Sequence, residues 1–253
     1  MRAKYLIILT LSLLACLVSC KKAPLTVGRI ITESRQLPDF KKVYFNDDFN
    51  LELVCSDTNY IVITTGENII DNVTTEVKDG VLTFSNTSTL SWIRPYDYER
   101  RVVLYYKNIT NFIFSSCGNL TCQNQFNNDS INPYGYYRFK IDGGSGDVDL
   151  LFNNCRKLLF LYQFGTSHVN LRGQNNGRLS VDKRSYGIFD ARDYNADLID
   201  IQSNSPANCY IWANDSIKAD ILHHGNVYYK GIPSDIQVNY GPYSEGKLLP
   251  ISE

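Results

Sequence analysis

The sequence predicts an all-β protein whose C-terminal half is a right-handed parallel β-helix (solenoid) with about 20 residues per coil. Three observations carry this expectation. Beyond an apolar N-terminal run, no stretch keeps a helical 3.6-residue period for three turns. From Phe139 onward, apolar residues recur at a fixed spacing of twenty. Between them, Asn, Asp and Gly fall at corresponding places, and these residues tolerate the backbone of tight corners.

The chain opens with Arg2 and Lys4 and an apolar run from Tyr5 to Val18, interrupted only by Thr10 and Ser12. Such a run suits the core of a secretory signal and is too short to span a bilayer. The tetrad Leu17-Val18-Ser19-Cys20 resembles the bacterial lipobox. The resemblance implies a signal peptide over residues 1–19, cleavage before Cys20, and lipid on Cys20, which makes the membrane a partner through two or more acyl chains. Loss of Arg2 and Lys4 changes the formal net charge from -1 to -3. With 25 basic against 26 acidic residues there is no cationic excess for nucleic acid, which is excluded as a partner. Residues 20–32 are expected to be lipidated Cys and tether. The stretch Lys21-Lys22-Ala23-Pro24 has no acidic run; resemblance to lipoproteins shown on the cell surface, which often carry one just after the cysteine, implies the periplasmic face of the outer membrane here.

Residues 33–123 form an N-terminal β region. Val43-Tyr44-Phe45, Phe49 to Leu53 and Tyr60 to Ile63 alternate as strands do. Lys78-Asp79-Gly80 joins Val73–Val77 to Val81–Phe84 as a hairpin, because Asp-Gly supplies the positive φ of a tight turn. Glu67 to Asn72 fits one helical turn, and Arg101–Tyr106 and Phe112–Phe114 continue the strands. Residues 124–138 read as a polar loop, and 139–253 as the coils.

Within the coils, Ile141, Leu161, Val181, Ile201 and Ile221 are twenty apart, and so are Phe139, Leu159, Leu179, Ile199 and Ala219. A second ladder runs Leu151, Leu171, Ala191, Ile211, its first rung slipping to Val148 and Leu150. Inward pairs at one spacing are what stacked coils need. Asn153 and Asn154, Asn175 and Asn176, Asn195, and Asn214 with Asp215 mark the turns. Ile236 and Val238 make a shortened last coil, and Pro233, Pro242 and Pro250 suit the end where pairing stops. The competing architecture is an antiparallel sandwich.

Arg35-Gln36-Leu37-Pro38-Asp39-Phe40-Lys41-Lys42-Val43, Phe49 to Leu53, Thr75-Glu76-Val77-Lys78-Asp79-Gly80-Val81-Leu82 and Gly143-Gly144-Ser145-Gly146-Asp147-Val148 follow in order the pattern of the DUF2807 family. The chain resembles these "putative auto-transporter adhesin" head (GIN) domains of Bacteroidota over nearly all of its mature length. Family members usually repeat Ser-Gly-Ser-Gly-Asp in several coils; here only the first coil keeps it. The resemblance implies a β-helical envelope module.

Chemistry is sparse in the sequence. The Gly143–Asp147 stretch differs from the calcium-binding nonapeptide turn, since its acids fall one and three residues after Gly146 and it occurs once; it reads as a tight turn with Asp147 capping free amides. His168, His223 and His224 complete no zinc spacing, so no metal and no cofactor are expected. Cys55, Cys117, Cys122, Cys155 and Cys209 remain after the signal and the lipid site. Cys117 and Cys122 are near enough in sequence to bridge, yet the pairing is not fixed by sequence. Lys183, Arg184, Asp190, Arg192 and Asp193, with His168 one coil earlier, are the acids and bases an enzyme would draw on, while Asp182, Asp190 and Asp200 also suit solvated outward positions. Seven Tyr lie between Tyr186 and Tyr243, with Trp212, and outward aromatics there would make a binding strip. The expectation is a lipid-anchored, non-catalytic binding or adhesion module of the envelope. It has an unidentified protein or glycan ligand, no assigned catalytic residue and no located binding surface. The alternative is a carbohydrate-active β-helix enzyme acting on an envelope or host polysaccharide.

Cys20→Ala should abolish membrane attachment, because the thioether site is gone. Detergent phase partition of cell extracts should find the variant uncleaved or in the aqueous phase; equal retention of variant and wild type would refute the lipobox.

Overall fold

A computed structural model describes residues 26–88, 97–122 and 135–251. Residues 1–19, Cys20 and most of the expected loop lie outside them. The described chain is all-β. Its first part holds β1 (Ile30–Gln36), β2 (Lys42–Asn46), β3 (Asn50–Cys55), β4 (Tyr60–Gly66), β5 (Val73–Lys78), β6 (Val81–Asn86), β7 (Arg101–Tyr106), β8 (Asn111–Ser116) and β9 (Leu120–Cys122). The second holds β10 (Tyr136–Gly144), β11 (Val148–Leu151), β12 (Lys157–Phe164), β13 (Val169–Gln174), β14 (Arg178–Lys183), β15 (Phe189–Ser203), β16 (Cys209–Ile221), β17 (Val227–Lys230), β18 (Asp235–Tyr240) and β19 (Leu248–Pro250).

The strands stack in two ladders. One runs β5–β6–β2–β8–β10–β12–β14–β15–β16–β18, and the other β1–β4–β7–β3–β9–β11–β13–β15–β16–β17–β19. The long strands β15 and β16 take part in both, so the whole is one open sheet. Among the described residues, only β1–β4, β4–β7 and β5–β6 pair antiparallel; an antiparallel sandwich is therefore not what forms. The parallel pairing extends into the first half, where β2 lies between β6 and β8. Strand structure also begins earlier than the sequence suggested: β1, antiparallel to β4, starts at Ile30, within the expected tether, and β10 at Tyr136, within the expected loop.

The core lies between the ladders. Phe139, Phe160, Val181, Ile201, Ala219 and Val238 are direct partners on successive strands, at spacings of 21, 21, 20, 18 and 19 residues. Leu158, Phe160 and Tyr162 point inward and are buried, whereas Leu159 and Leu161 are only half-buried. This corrects the sequence ladder at Leu159 and Leu161, and at its last rung, where Ile201 pairs with Ala219 rather than Ile221 and Ile199 with Ile217 rather than Ala219. The step from β10 to β12 is one residue longer than twenty, and a one-residue shift turns every side chain of a strand over. In the second ladder Val148 and Leu150 sit under Val169 and Leu171, and Leu151 does not.

Aromatic rings continue the columns. Phe45 stacks on Phe84 at 4.5 Å and on Phe114 at 5.8 Å. Phe139 lies between Phe112 at 4.9 Å and Phe160 at 5.4 Å. At the turns between strands, backbone approaches backbone. Gly144 has φ 98°, and a Cβ there would lie 1.8 Å from the Ser116 carbonyl oxygen, so only glycine fits. Asparagines close other corners: the Asn175 side chain accepts from the Cys155 N–H at 2.6 Å and donates to the Phe152 carbonyl at 3.0 Å. Asn195 in turn accepts from the Asn175 N–H at 3.0 Å. The Asp79-Gly80 hairpin turn has positive φ at both residues, and Ile70–Asn72 forms a short 3-10 turn.

Val181→Asp should cost several kcal/mol, since it leaves a carboxylate in a dry column, while Leu161→Asp should cost about 1 kcal/mol or less. Chemical denaturation of both variants checks the register; equal losses would restore the uncorrected ladder.

Candidate functional site

The most built feature outside the core begins with a break in register. Asp190 pairs with Tyr210, but the next partner of Trp212 is Asn195, so β15 carries extra residues against β16. Pairing with β13 shifts at the same place, from Asn170↔Asp190 to Arg172↔Asp193. Both neighbours being in register, the surplus has one way to go. Ala191 and Tyr194 stay inside, while Arg192 and Asp193 are extruded side by side into solvent.

Beneath this bulge lies a cleft of ≈ 680 Å³ on the outward side of the last coils. It is lined by Asp190, Arg192 and Asp193 of the bulge, by Trp212 and Lys230, and by Ile232 and Ile251. Lys230 Nζ sits 4.1 Å from the Trp212 ring centroid. The Arg192 guanidinium covers Tyr210 at 4.6 Å, and Tyr210 stacks on Tyr228 at 5.2 Å and 14°. Ile232 is 93% exposed.

Asp190 and Arg192 are locked together. Arg192 Nε donates to both carboxylate oxygens at 3.0 Å, Nη2 donates to Oδ2, and the Arg192 backbone N–H donates to Oδ1 at 3.1 Å. Burial pushes the Asp190 carboxyl up, but these hydrogen bonds and the adjacent positive charge outweigh it and hold its pKa below the ordinary value. Asp190 is therefore a fixed anion.

The other acids and bases that the sequence singled out are scattered. Lys183 is wholly buried, its Nζ donating to the Ser185 carbonyl at 3.3 Å, the Ala207 carbonyl at 3.2 Å and the Ser205 hydroxyl. Arg184 pairs with Asp182 at 3.0 Å on the first ladder, away from Asp190 on the second. Asp200 also belongs to the first ladder, and His168 is exposed at a corner. The Asp147 amide donates to Asn119 Oδ1 at 2.9 Å, so at that turn the capping acceptor is an asparagine of the preceding coil. Among the described residues, no three His, Cys, Asp or Glu side chains are placed to share a cation.

Among the described residues no cysteine is in a disulfide, so Cys117, exposed, and Cys122, buried, form no bridge. Burial pushes the Cys155 thiol up to about 11. Of the tyrosines marked as a strip, Tyr210 and Tyr228 flank the cleft and Tyr194 instead fills the core. The bulge escaped the sequence reading. Its signal is the spacing of Ala191 and Tyr194, three apart where a regular strand buries residues two apart.

Residues 39–233 match the model of the DUF2807 family, described as "Putative auto-transporter adhesin, head GIN domain". Among solved structures, the fold is similar to that of a "putative adhesin" of Bacteroides fragilis, with a TM-score of 0.77 and 19% identity over 89% of this chain and 99% of that one. It is also similar to a "putative lipid binding protein" of Parabacteroides distasonis, with a TM-score of 0.61 and 17% identity over 89% and 98%. Nothing among the curated proteins matches it.

Burial holds the Lys183 ammonium below the ordinary lysine value of 10.5. The unfolded chain then binds more protons than the folded one as that range is approached, so stability rises with pH up to 10.5. The penalty is full below the folded pKa and gone above the unfolded one. Lys183→Met should flatten this rise. Urea unfolding from neutral pH to about pH 10 measures it, and an unchanged slope would show that another group titrates.

Proposed function

The chain belongs to the DUF2807 family, and from that premise we propose a lipid-anchored binding module of the cell envelope that works without catalysis. The observation that carries this reading is the position of the cleft. Counted along the second ladder, eight strand steps separate β4, which pairs with the N-terminal β1, from β17 at the cleft. At about 4.8 Å per step that is on the order of 40 Å. A lipid on Cys20 holds one end of the stack, and the cleft is presented at the other. The lipobox at Leu17–Cys20 and the outer-membrane setting, with the periplasmic face preferred, belong to the same proposal, as does a right-handed β-helix of about 20 residues per coil. Column spacings of 18 to 21 residues support that architecture.

Catalysis of the glycosidase kind asks for a carboxylic acid whose pKa is raised so that it can protonate a leaving group. Asp190 is shifted the other way by Arg192. The remaining carboxylates of the first ladder, Asp182 among them, lie outside the cleft. One ion-paired acid beside a Trp, with the cleft's other carboxylate Asp193 exposed on the bulge, fits binding rather than turnover.

Purified protein incubated with envelope and host polysaccharides should release no reducing or unsaturated ends, while immobilised protein retains its ligand from the same preparations. Release of new ends that disappears in Asp193→Asn would replace this reading with the enzyme.

A further inference from the structure

We infer that the cleft between Arg192–Asp193 and Trp212 takes a neutral glycan, an inference that rests on the binding reading above and names its ligand class. Charge is the first argument. Asp190 and Asp193 balance Arg192 and Lys230, so the cleft has no net field to select an ionic ligand. It nevertheless offers both acceptors and donors, and among the described residues neither Asp193 nor Lys230 is in a salt bridge. A sugar hydroxyl both donates and accepts, and is served by such a mixed rim.

The second argument is the apolar surface. A pyranose presents a flat face of C–H groups, and the cleft opposes to it the Trp212 indole and the Ile232 side chain, 93% exposed. An isoleucine held in open water beside a half-buried indole and polar groups marks a surface that is covered in use. Lys230, parked over the indole at 4.1 Å, has a flexible stem and can give up that position to a ring while keeping its ammonium near the ligand hydroxyls.

The third argument sets aside an extended peptide. Peptides dock on sheets by adding a strand to a free edge. The strands that floor this cleft have none: β15 pairs with β13 and β16, and β16 with β15 and β17. Outside the bulge at residues 191–194 their ladders are complete, so no strand can be added between them and a ligand here is read mainly by side chains.

Trp212 supplies the test. The chain has two tryptophans, and Trp92→Phe leaves Trp212 as the one indole reporter. That protein is titrated, by fluorescence, with neutral gluco-, manno- and galacto-oligosaccharides, with neutral polysaccharide from the producer's own envelope as a separate arm, and with oligogalacturonate and a peptide library. The expected result is a change in emission with at least one neutral glycan. Binding followed by calorimetry should weaken about tenfold or more in Trp212→Ala and in Arg192→Ala, and stay unchanged in Tyr105→Ala on the distant Tyr60–Tyr105 stack. Affinity should also vary little with salt, as it does for an uncharged ligand. Melting curves confirm that each variant folds. Oligogalacturonate or peptide binding that depends on Trp212 would overturn the neutral glycan and leave the cleft as the binding site. Glycan binding that survives Trp212→Ala, or silence of Trp212 toward every probe, would overturn the cleft itself.

Discussion

Parallel strands stacked in register about 4.8 Å apart place each inward side chain on its equivalent in the next coil, and the rest of this structure follows from that constraint. A column accepts only what can lie flat on its neighbour. Phenylalanines do so at 4.5 to 5.8 Å through the first strands, and the column then continues through Val181, Ile201, Ala219 and Val238. A packed core has no room for surplus volume, so smaller side chains follow the rings.

The same constraint makes the candidate site. A strand held on both sides in a parallel ladder has no freedom to shift its neighbours, so extra residues in β15 leave the ladder toward solvent, carrying Arg192 and Asp193 with them. Lys183 shows the complementary case. It falls at an inward position of its column, above Tyr162 and below Ser203. Its aliphatic stem fills the column, and its ammonium reaches the corner, where the Ser185 and Ala207 carbonyls and the Ser205 hydroxyl receive it. A buried ammonium is costly, and hydrogen bonding to groups of two successive coils offsets part of that cost while tying the coils together.

Strand alternation, the Asp79-Gly80 hairpin and the short turn before Asn72 were legible in the sequence because each rests on local chemistry. The repeat was legible as a period, but not its phase at the first step. Leu158, Leu159, Phe160 and Leu161 are all apolar, so counting could not tell which pair faces inward; only the pairing of Phe139 with Phe160 decides it. At the site, Trp212, Asp190, Arg192 and Asp193 were each visible as residue types, and their meeting was not. It depends on a bulge that moves two of them relative to the twenty-residue phase, and on Lys230 arriving from a later coil. Lys183 was legible only as a charged group for a related reason: the partners that make an inward ammonium tolerable lie up to 24 residues away.

Loss of the Ser-Gly-Ser-Gly-Asp turn after the first coil bears on what this fold asks of its sequence. The corner requires room for a neighbouring carbonyl more than it requires a motif. At Gly144 a Cβ would meet the Ser116 oxygen at 1.8 Å, and at Gly187, two coils on, the Ser167 oxygen at the same distance, although the flanking residues have become Arg184-Ser185-Tyr186. The next corner is closed by the buried Ser205, whose hydroxyl donates to the Ser185 carbonyl of the preceding corner and accepts from the Ala207 N–H of its own. Stability therefore rests on inward columns and a few small corner residues, and the outward positions are released from it. A chain built in this way can change the groups around Trp212 without changing the stack beneath them, which is the freedom a binding surface needs and a catalytic constellation, with several groups fixed at once, does not have.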